Sequence, residues 1–224
     1  MSNIYLIRHG FTPANNANYN NQRGLRAIAE NEYMPLEKKY GKTQAKELGE
    51  FLNTIGGKTL ILVSPYKRTR ETLEIALKEM HNDYEIEICD DLHEINPGIH
   101  YARTKDEVFE LNSKAYNFYK EKKKNPDSTR YIGGESNYDV RDRVKNICDK
   151  IIEISNSNKY DNIFIFAHGE VNRWIYYHIN NKLLDEAQKN CEVILANGKN
   201  AGKSVFLPKS FVPKGYMINV NEYI

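Results

Sequence analysis

Short apolar runs rich in β-branched and aromatic residues recur along the chain: IYLI at 4–7, LILV at 60–63, IEI at 86–88 and IFIFA at 163–167. Runs of this length and make-up predict buried strands. Between them the apolar positions switch to a helical period, first Leu36, Tyr40, Ala45, Leu48 and Leu52, next Leu73, Ala76, Leu77 and Met80, then Val140, Val144, Ile147, Ile151 and Ile154. Pro35 or its neighbours are expected to open the first of these helices, and Ser136 to cap the third. Alternating strands and helices predict an α/β fold, a three-layer sandwich whose largely parallel central sheet carries helices on both faces. EVILA, SVFL and GYMINV in the last thirty-odd residues read as short strands, with an edge hairpin among them. At 97–132 an amphipathic stretch and a polar loop break the alternation. They read as a cap-like insertion over one end of the sheet, within a single domain spanning residues 1–224.

Composition narrows the field. A chain of 224 residues can bury a full core, and 32 Lys+Arg against 30 Asp+Glu gives a net charge of only +2. Bulk electrostatics therefore favour neither nucleic acid nor membrane as a partner, and affinity for an anion has to be local. Cys89, Cys148 and Cys191 are dispersed and odd in number, which argues against a disulfide framework or a structural zinc site and for a reducing compartment. With no leader-like start and no apolar run approaching a membrane span, a soluble, cytoplasmic protein is expected. The pattern fixes no oligomeric state.

Position carries the chemistry. Each predicted strand is followed at once by polar groups: RHG after IYLI, SPYKR after LILV, CDDLHE after IEI and AHG after IFIFA. Ligands of open α/β sheets bind at the carboxyl ends of the strands, so these groups are expected to converge. The resulting pocket would hold Arg8, His9, Arg68, His168 and Glu94. Arginine forks match phosphate oxygens, and helix N-termini add backbone donors, which makes a phosphoryl group the natural ligand. One of the two histidines becomes the candidate nucleophile, kept neutral by its cationic neighbours, and Glu94 the proton donor to a leaving alkoxide. Lys67 and Arg70 compete with Arg68, and Asp90 and Asp91 with Glu94, on helix phase and loop register.

The ordered set Arg8-His9-Gly10-x-Thr12 with Asn15, Ser64-Pro65-x-x-Arg68, Leu92-x-Glu94, Gly133-Gly134-Glu135-Ser136 and His168-Gly169-x-x-x-Arg173 resembles the histidine phosphatase superfamily. Pro35-Leu36 with Gly41-x-x-Gln44-Ala45 resembles that family's first helix. The resemblance implies a phosphoglycerate mutase-like fold, no metal or other cofactor, and a small phosphorylated substrate or a phosphoprotein as partner. It implies that His9 attacks phosphorus to give a phosphohistidine, that Arg8, Arg68 and His168 hold the phosphoryl oxygens, and that Glu94 serves as acid, then base. Thr12, Asn15 and Gly169 are the implied substrate contacts. The stretch NNQRGLRAIAENEYMPLE departs from the family's usual R-x-Q-G pattern, and within it Arg23 is the chosen substrate arginine.

INPGIHYARTKDEV, after Glu94, lacks the basic insert of cofactor-dependent mutases, so a phosphatase is favoured over a mutase. A catalytically silent phosphate-binding module on the same fold is the reading from another class. Other residues have plainer readings: Arg173 reads equally as a site residue or a structural ion pair, and His81, His93, His100 and His178 read as core or surface histidines. KEKKK at 120–124 reads as a solvated helix face. NGKNAGKS at 197–204 imitates a P-loop but is one residue short between its glycines and runs into VFLP, so it reads as a hairpin turn.

Overall fold

In the computed structural model the described residues are 1–24 and 31–223. The runs with the least polar interruption lie in the middle of one six-stranded sheet. β1 (Asn3–Arg8), β2 (Thr59–Val63), β3 (Tyr84–Ile88) and β4 (Asn162–Ala167) are mutually parallel, and β5 (Val193–Leu195) and β6 (Ser204–Phe206) add an antiparallel hairpin beside β1. The spatial order is β3-β2-β4-β1-β5-β6.

Side chains alternate across the sheet, and each face has its own helices. Leu6, Leu62, Ile163 and Ile165 pack under α6 (Asn137–Asn156) and α7 (Gly169–Asn180). Ile7, Ile61, Phe164 and Phe166 pack under α2 (Tyr40–Leu52) and join Leu73 of α3 (Lys67–Ala76). The three-layer α/β sandwich is therefore present, with a mostly parallel sheet. A third cluster, Phe11, Ala14, Tyr19, Met34 and Ile218, joins the loop after β1 and α1 (Ala17–Arg23) to the end of the chain. The amphipathic stretch after residue 97 folds as α4 (Lys105–Leu111) and α5 (Ala115–Lys124), and α4 starts at a capping box made by Thr104 and Glu107. Among the described residues no helix is long and apolar enough to cross a membrane.

Ser136 caps α6 as expected: its Oγ accepts the Asp139 N–H, while the Asp139 carboxylate accepts the Ser136 N–H at 2.6 Å. NGKNAGKS is the β5–β6 turn, with Gly198 and Gly202 both in the left-handed region. Three expectations are corrected. The 84–88 strand is not buried: it forms the sheet edge, where Ile86 and Ile88 are exposed and Glu85 and Glu87 pair with Lys58 and Lys150. α2 does not start near Pro35 but at Tyr40, because the Glu37 side chain accepts the N–H groups of Lys39, Tyr40 and Gly41 and so caps the first turn itself. GYMINV forms no strand. Its Tyr216 carbonyl accepts from the Asn16 side chain and its Ile218 fills the third cluster, so its backbone is engaged away from the sheet.

Parallel pairing places the functional ends level. Arg8 is opposite Ala167, and Val63 is opposite Phe166, so His9, His168 and Ser64 all follow at the same edge. The ladder extends one residue further, through His9 N–H to Ala167 O at 3.2 Å and Ser64 N–H to Phe166 O at 2.9 Å.

Glu37 is 2% exposed and also accepts from the hydroxyls of Tyr216 (3.1 Å) and Tyr223 (3.4 Å), which ties the C-terminal segment to the start of α2. Glu37→Ala is expected to cost about 2–3 kcal/mol, because buried donors lose a charged acceptor. The check is a lowered urea midpoint at unchanged slope; a loss under about 0.5 kcal/mol would show that water replaces the carboxylate.

Candidate active site

Beyond the carboxyl ends of β1, β2 and β4, a buried group of cations and imidazoles collects. His9, Arg68 and His168 are at most 1% exposed, and the two imidazole centroids stand 5.3 Å apart. His9 leaves the strand in a turn that only glycine fits, since a Cβ on Gly10 would stand 2.9 Å from Gly41 O. The turn is pinned to α3 by the Gly10 N–H, which donates to Thr72 Oγ1, while that hydroxyl donates to Arg68 O.

His9 Nδ1 lies 2.8 Å from Gly10 O. A carbonyl only accepts, so Nδ1 carries the proton and Nε2 keeps its lone pair. His168 contacts Ser64 Oγ through Nε2 at 2.9 Å; its Nδ1 has no hydrogen bond and lies 3.9 Å from Glu94 Oε2. His168 also caps α7, whose N-terminal turn carries Gly169 against the Arg8 side chain. Arg8 Nη1 donates to Gln188 O at 2.6 Å, and Arg68, in the first turn of α3, donates from Nη1 to Asn31 O at 2.9 Å. Burial and the charges of Arg68 and Arg8 hold the His9 imidazole well below its usual pKa, against a small opposing effect of the Gly10 carbonyl. Burial, Arg68, His9 and Arg8 act on His168 in the same direction. Partial burial pushes the Glu94 carboxyl up, opposed by Arg68, the Ile95 N–H and Arg8.

The Glu94 loop is clamped by the Gly133-Gly134-Glu135 turn. Glu135 N–H donates to Asn96 O, Asn96 N–H donates to the Glu135 carboxylate, and Arg143 of α6 donates to that carboxylate at 2.9 Å. The two chains approach so closely that a Cβ on Gly134 would stand 2.5 Å from Gly98 N. Glu94 and Arg8 open onto a cleft of about 400 Å³, whose other walls carry Glu170, Arg173, Asp185 and Glu186.

The structure thus brings Arg8, His9, Arg68, His168, Glu94 and Gly169 together. It also separates the rivals: Lys67 and Arg70 lie outside, opposite Glu71 and Glu74, and Asp90 and Asp91 are exposed. Thr12 is fully buried with no hydrogen bond at Oγ1; its N–H donates to Asn15 Oδ1, which also accepts from Asn190. Arg23 sits at the exposed end of α1, donating to the Tyr19 hydroxyl at 2.9 Å, and among the described residues its contacts include none of the pocket. Residues 25–30, part of the departing stretch, lie outside the described residues. Arg173 is an ion pair, bound to Asp127 at 3.0 Å and Glu170 at 2.7 Å, and His100 packs among Phe118, Tyr119 and Tyr131. Sequence reasoning missed Gln188 and Asn190. Gln188 is buried and binds Leu6 O and Glu192 O beneath Arg8, and Asn190 donates to His9 O. Neither lies in a periodic segment that would have marked it. Among the described residues no three of His, Cys, Asp or Glu are grouped to hold a metal ion.

A doubly covered, mostly parallel sheet with two imidazoles and Arg68 buried at its strand ends, and the half-buried Arg8 beside them, defines a class of α/β proteins with a cationic strand-end pocket. The model of the histidine phosphatase superfamily (branch 1) matches residues 4–206, and the chain belongs to that superfamily. Comparison with curated proteins gave no sequence match. Among solved structures, the Shigella flexneri alpha-ribazole phosphatase superposes with a TM-score of 0.66 at 20% identity, over 93% of this chain and 96% of that one. A mycobacterial glucosyl-3-phosphoglycerate phosphatase superposes at 0.62 and 17% identity, over 86% and 88% of the two chains. An Escherichia coli protein assigned as an alpha-ribazole-5'-P phosphatase gives 0.67 at 20% identity, over 95% and 98%. Such identities establish a shared phosphoglycerate mutase-like fold.

Both imidazoles carry lowered pKa values in the folded state. Below about pH 6.5 the unfolded chain therefore binds more protons than the folded one, so stability is greatest above that pH and falls as pH drops through it. Urea midpoints should decline between about pH 7 and about pH 5, and less steeply in His9→Ala. An equal slope in the variant would mean that other groups cause the decline.

Proposed function

We propose that the protein is a metal-independent phosphomonoesterase acting through a phosphohistidine on His9. The observation that carries the reading is the His9 tautomer: Nδ1 is committed to Gly10 O, so Nε2 is the free nucleophilic nitrogen, buried beside two arginines. Nε2 attacks phosphorus as the P–O bond to the alcohol breaks, and Glu94, whose raised pKa favours its acid form, protonates the departing oxygen. The Glu94 carboxylate then takes a proton from water, whose oxygen attacks phosphorus as the P–N bond breaks and phosphate is released. Arg8, Arg68 and His168 bind the phosphoryl oxygens, with the backbone at Gly169 and the Thr12 hydroxyl as further donors. Glu94 and the phosphoryl group share one cleft, which suits a small organic phosphate.

His9→Ala is expected to lower kcat by about a thousandfold or more on p-nitrophenyl phosphate, with loss of an acid-labile phosphoryl adduct trapped on rapid quenching. Unchanged turnover would leave a phosphate-binding module instead. EDTA should not alter the rate. Phosphoryl transfer between phosphoglycerates exceeding phosphate release would favour a mutase.

The pH profile follows from the two shifted groups. Activity falls as pH rises through the Glu94 pKa, which lies above its ordinary value, and falls again as pH drops through that of His9, which lies below its own. A kcat/KM bell on the acid side of neutrality is expected, and Glu94→Gln should remove its alkaline limb. An alkaline limb unchanged in that variant would assign the acid to another group.

A further inference from the structure

The shape of the reaction fixes where the alcohol portion of the substrate must lie. If Glu94 protonates the departing oxygen, that oxygen sits at its carboxyl group, and the remainder extends into the cleft shared by Glu94 and Arg8. An independent observation marks the same point. His168 is fully buried, its Nδ1 has no hydrogen bond, and it faces Glu94 Oε2, which lines the cleft, at 3.9 Å.

The outer walls carry three carboxylates beside Arg173. Glu170 projects from the first turn of α7, and Asp185 and Glu186 come from the loop that follows that helix. The cations nearby are already engaged. Arg173 is clamped by Asp127 and Glu170, and Lys122 donates to Pro126 O at 2.6 Å beside the same two carboxylates. Lys182 meets Asp185 at 3.3 Å, with both side chains more than half exposed, where such a pair contributes little. Arg8 is matched to the phosphoryl group. Among the described residues, an alcohol portion entering this cleft therefore meets carboxylates and no unengaged guanidinium.

We infer that this cleft selects phosphate monoesters whose alcohol portion bears an amine or hydroxyl donors and rejects those whose alcohol bears a carboxylate, with Glu170, Asp185 and Glu186 as the specificity-determining residues. The inference rests on the phosphomonoesterase reading. Like charge at the wall repels an acidic alcohol, and an ammonium gains a charge-assisted hydrogen bond in its place.

The test compares kcat/KM for glucosamine 6-phosphate, glucose 6-phosphate and 6-phosphogluconate, three esters that differ in the charge of the alcohol. The expected order is amine, neutral, acid, with about tenfold or more between the ends at low salt and a contrast that shrinks in high salt. Asp185→Asn/Glu186→Gln, on an exposed loop, should narrow the contrast, and adding Glu170→Gln should narrow it further. Circular dichroism of each variant separates misfolding from altered preference. Equal rates, an acid-first order, or a contrast that survives in the folded triple variant overturns the inference while leaving the phosphatase reading intact. No hydrolysis of these esters or of p-nitrophenyl phosphate overturns both.

Discussion

Arg68 and two imidazoles share one buried space that Arg8 borders, and burial together with the two guanidinium charges disfavours protonation of either imidazole. That constraint explains much of the surrounding architecture. The Nδ1 N–H of His9 donates to Gly10 O, Ser64 engages His168, and the Gln188 and Asn31 carbonyls accept from Arg8 and Arg68.

The centre of the fold was readable because its strands are buried on both faces, so IYLI, LILV and IFIFA show as unbroken apolar runs. The strand ends were readable for a related reason: polar residues abut those runs abruptly, and parallel pairing makes abrupt ends coincide. Where one side of an element faces water the signal weakened. YEIEI alternates, yet it is the apolar Ile86 and Ile88 that meet solvent, because the strand lies at the sheet edge. The start of α2 was misread because Leu36 obeys the helical phase while Glu37, the true cap, sits within the pattern as an ordinary charged residue.

Within the site, motif spacing distinguished Arg68 from Arg70, and helix phase explains the outcome: Arg68 turns inward under Tyr66, and Arg70 turns out toward Glu74. Gln188 and Asn190 were invisible for a different reason. Their partners are about 180 positions away in sequence, and they act through amide groups in a segment with no periodicity. Gly133-Gly134-Glu135 was recognisable as a pattern, but its role became clear only in three dimensions. It is the buttress of the Glu94 loop, and it links that loop to α6 through Arg143, which binds the Glu135 carboxylate and His93 O.

The position of β1 in the sheet also has a consequence in time. The strand that leads into His9 is made before β4 and β5, yet it pairs with both, and Arg8 is oriented by Gln188. During synthesis at about 5–20 residues per second, roughly ten to forty seconds separate His9 from the residues that seat it. The nascent chain therefore carries His9 without its seat, and the pocket takes shape only once β4, β5 and Gln188 have followed it.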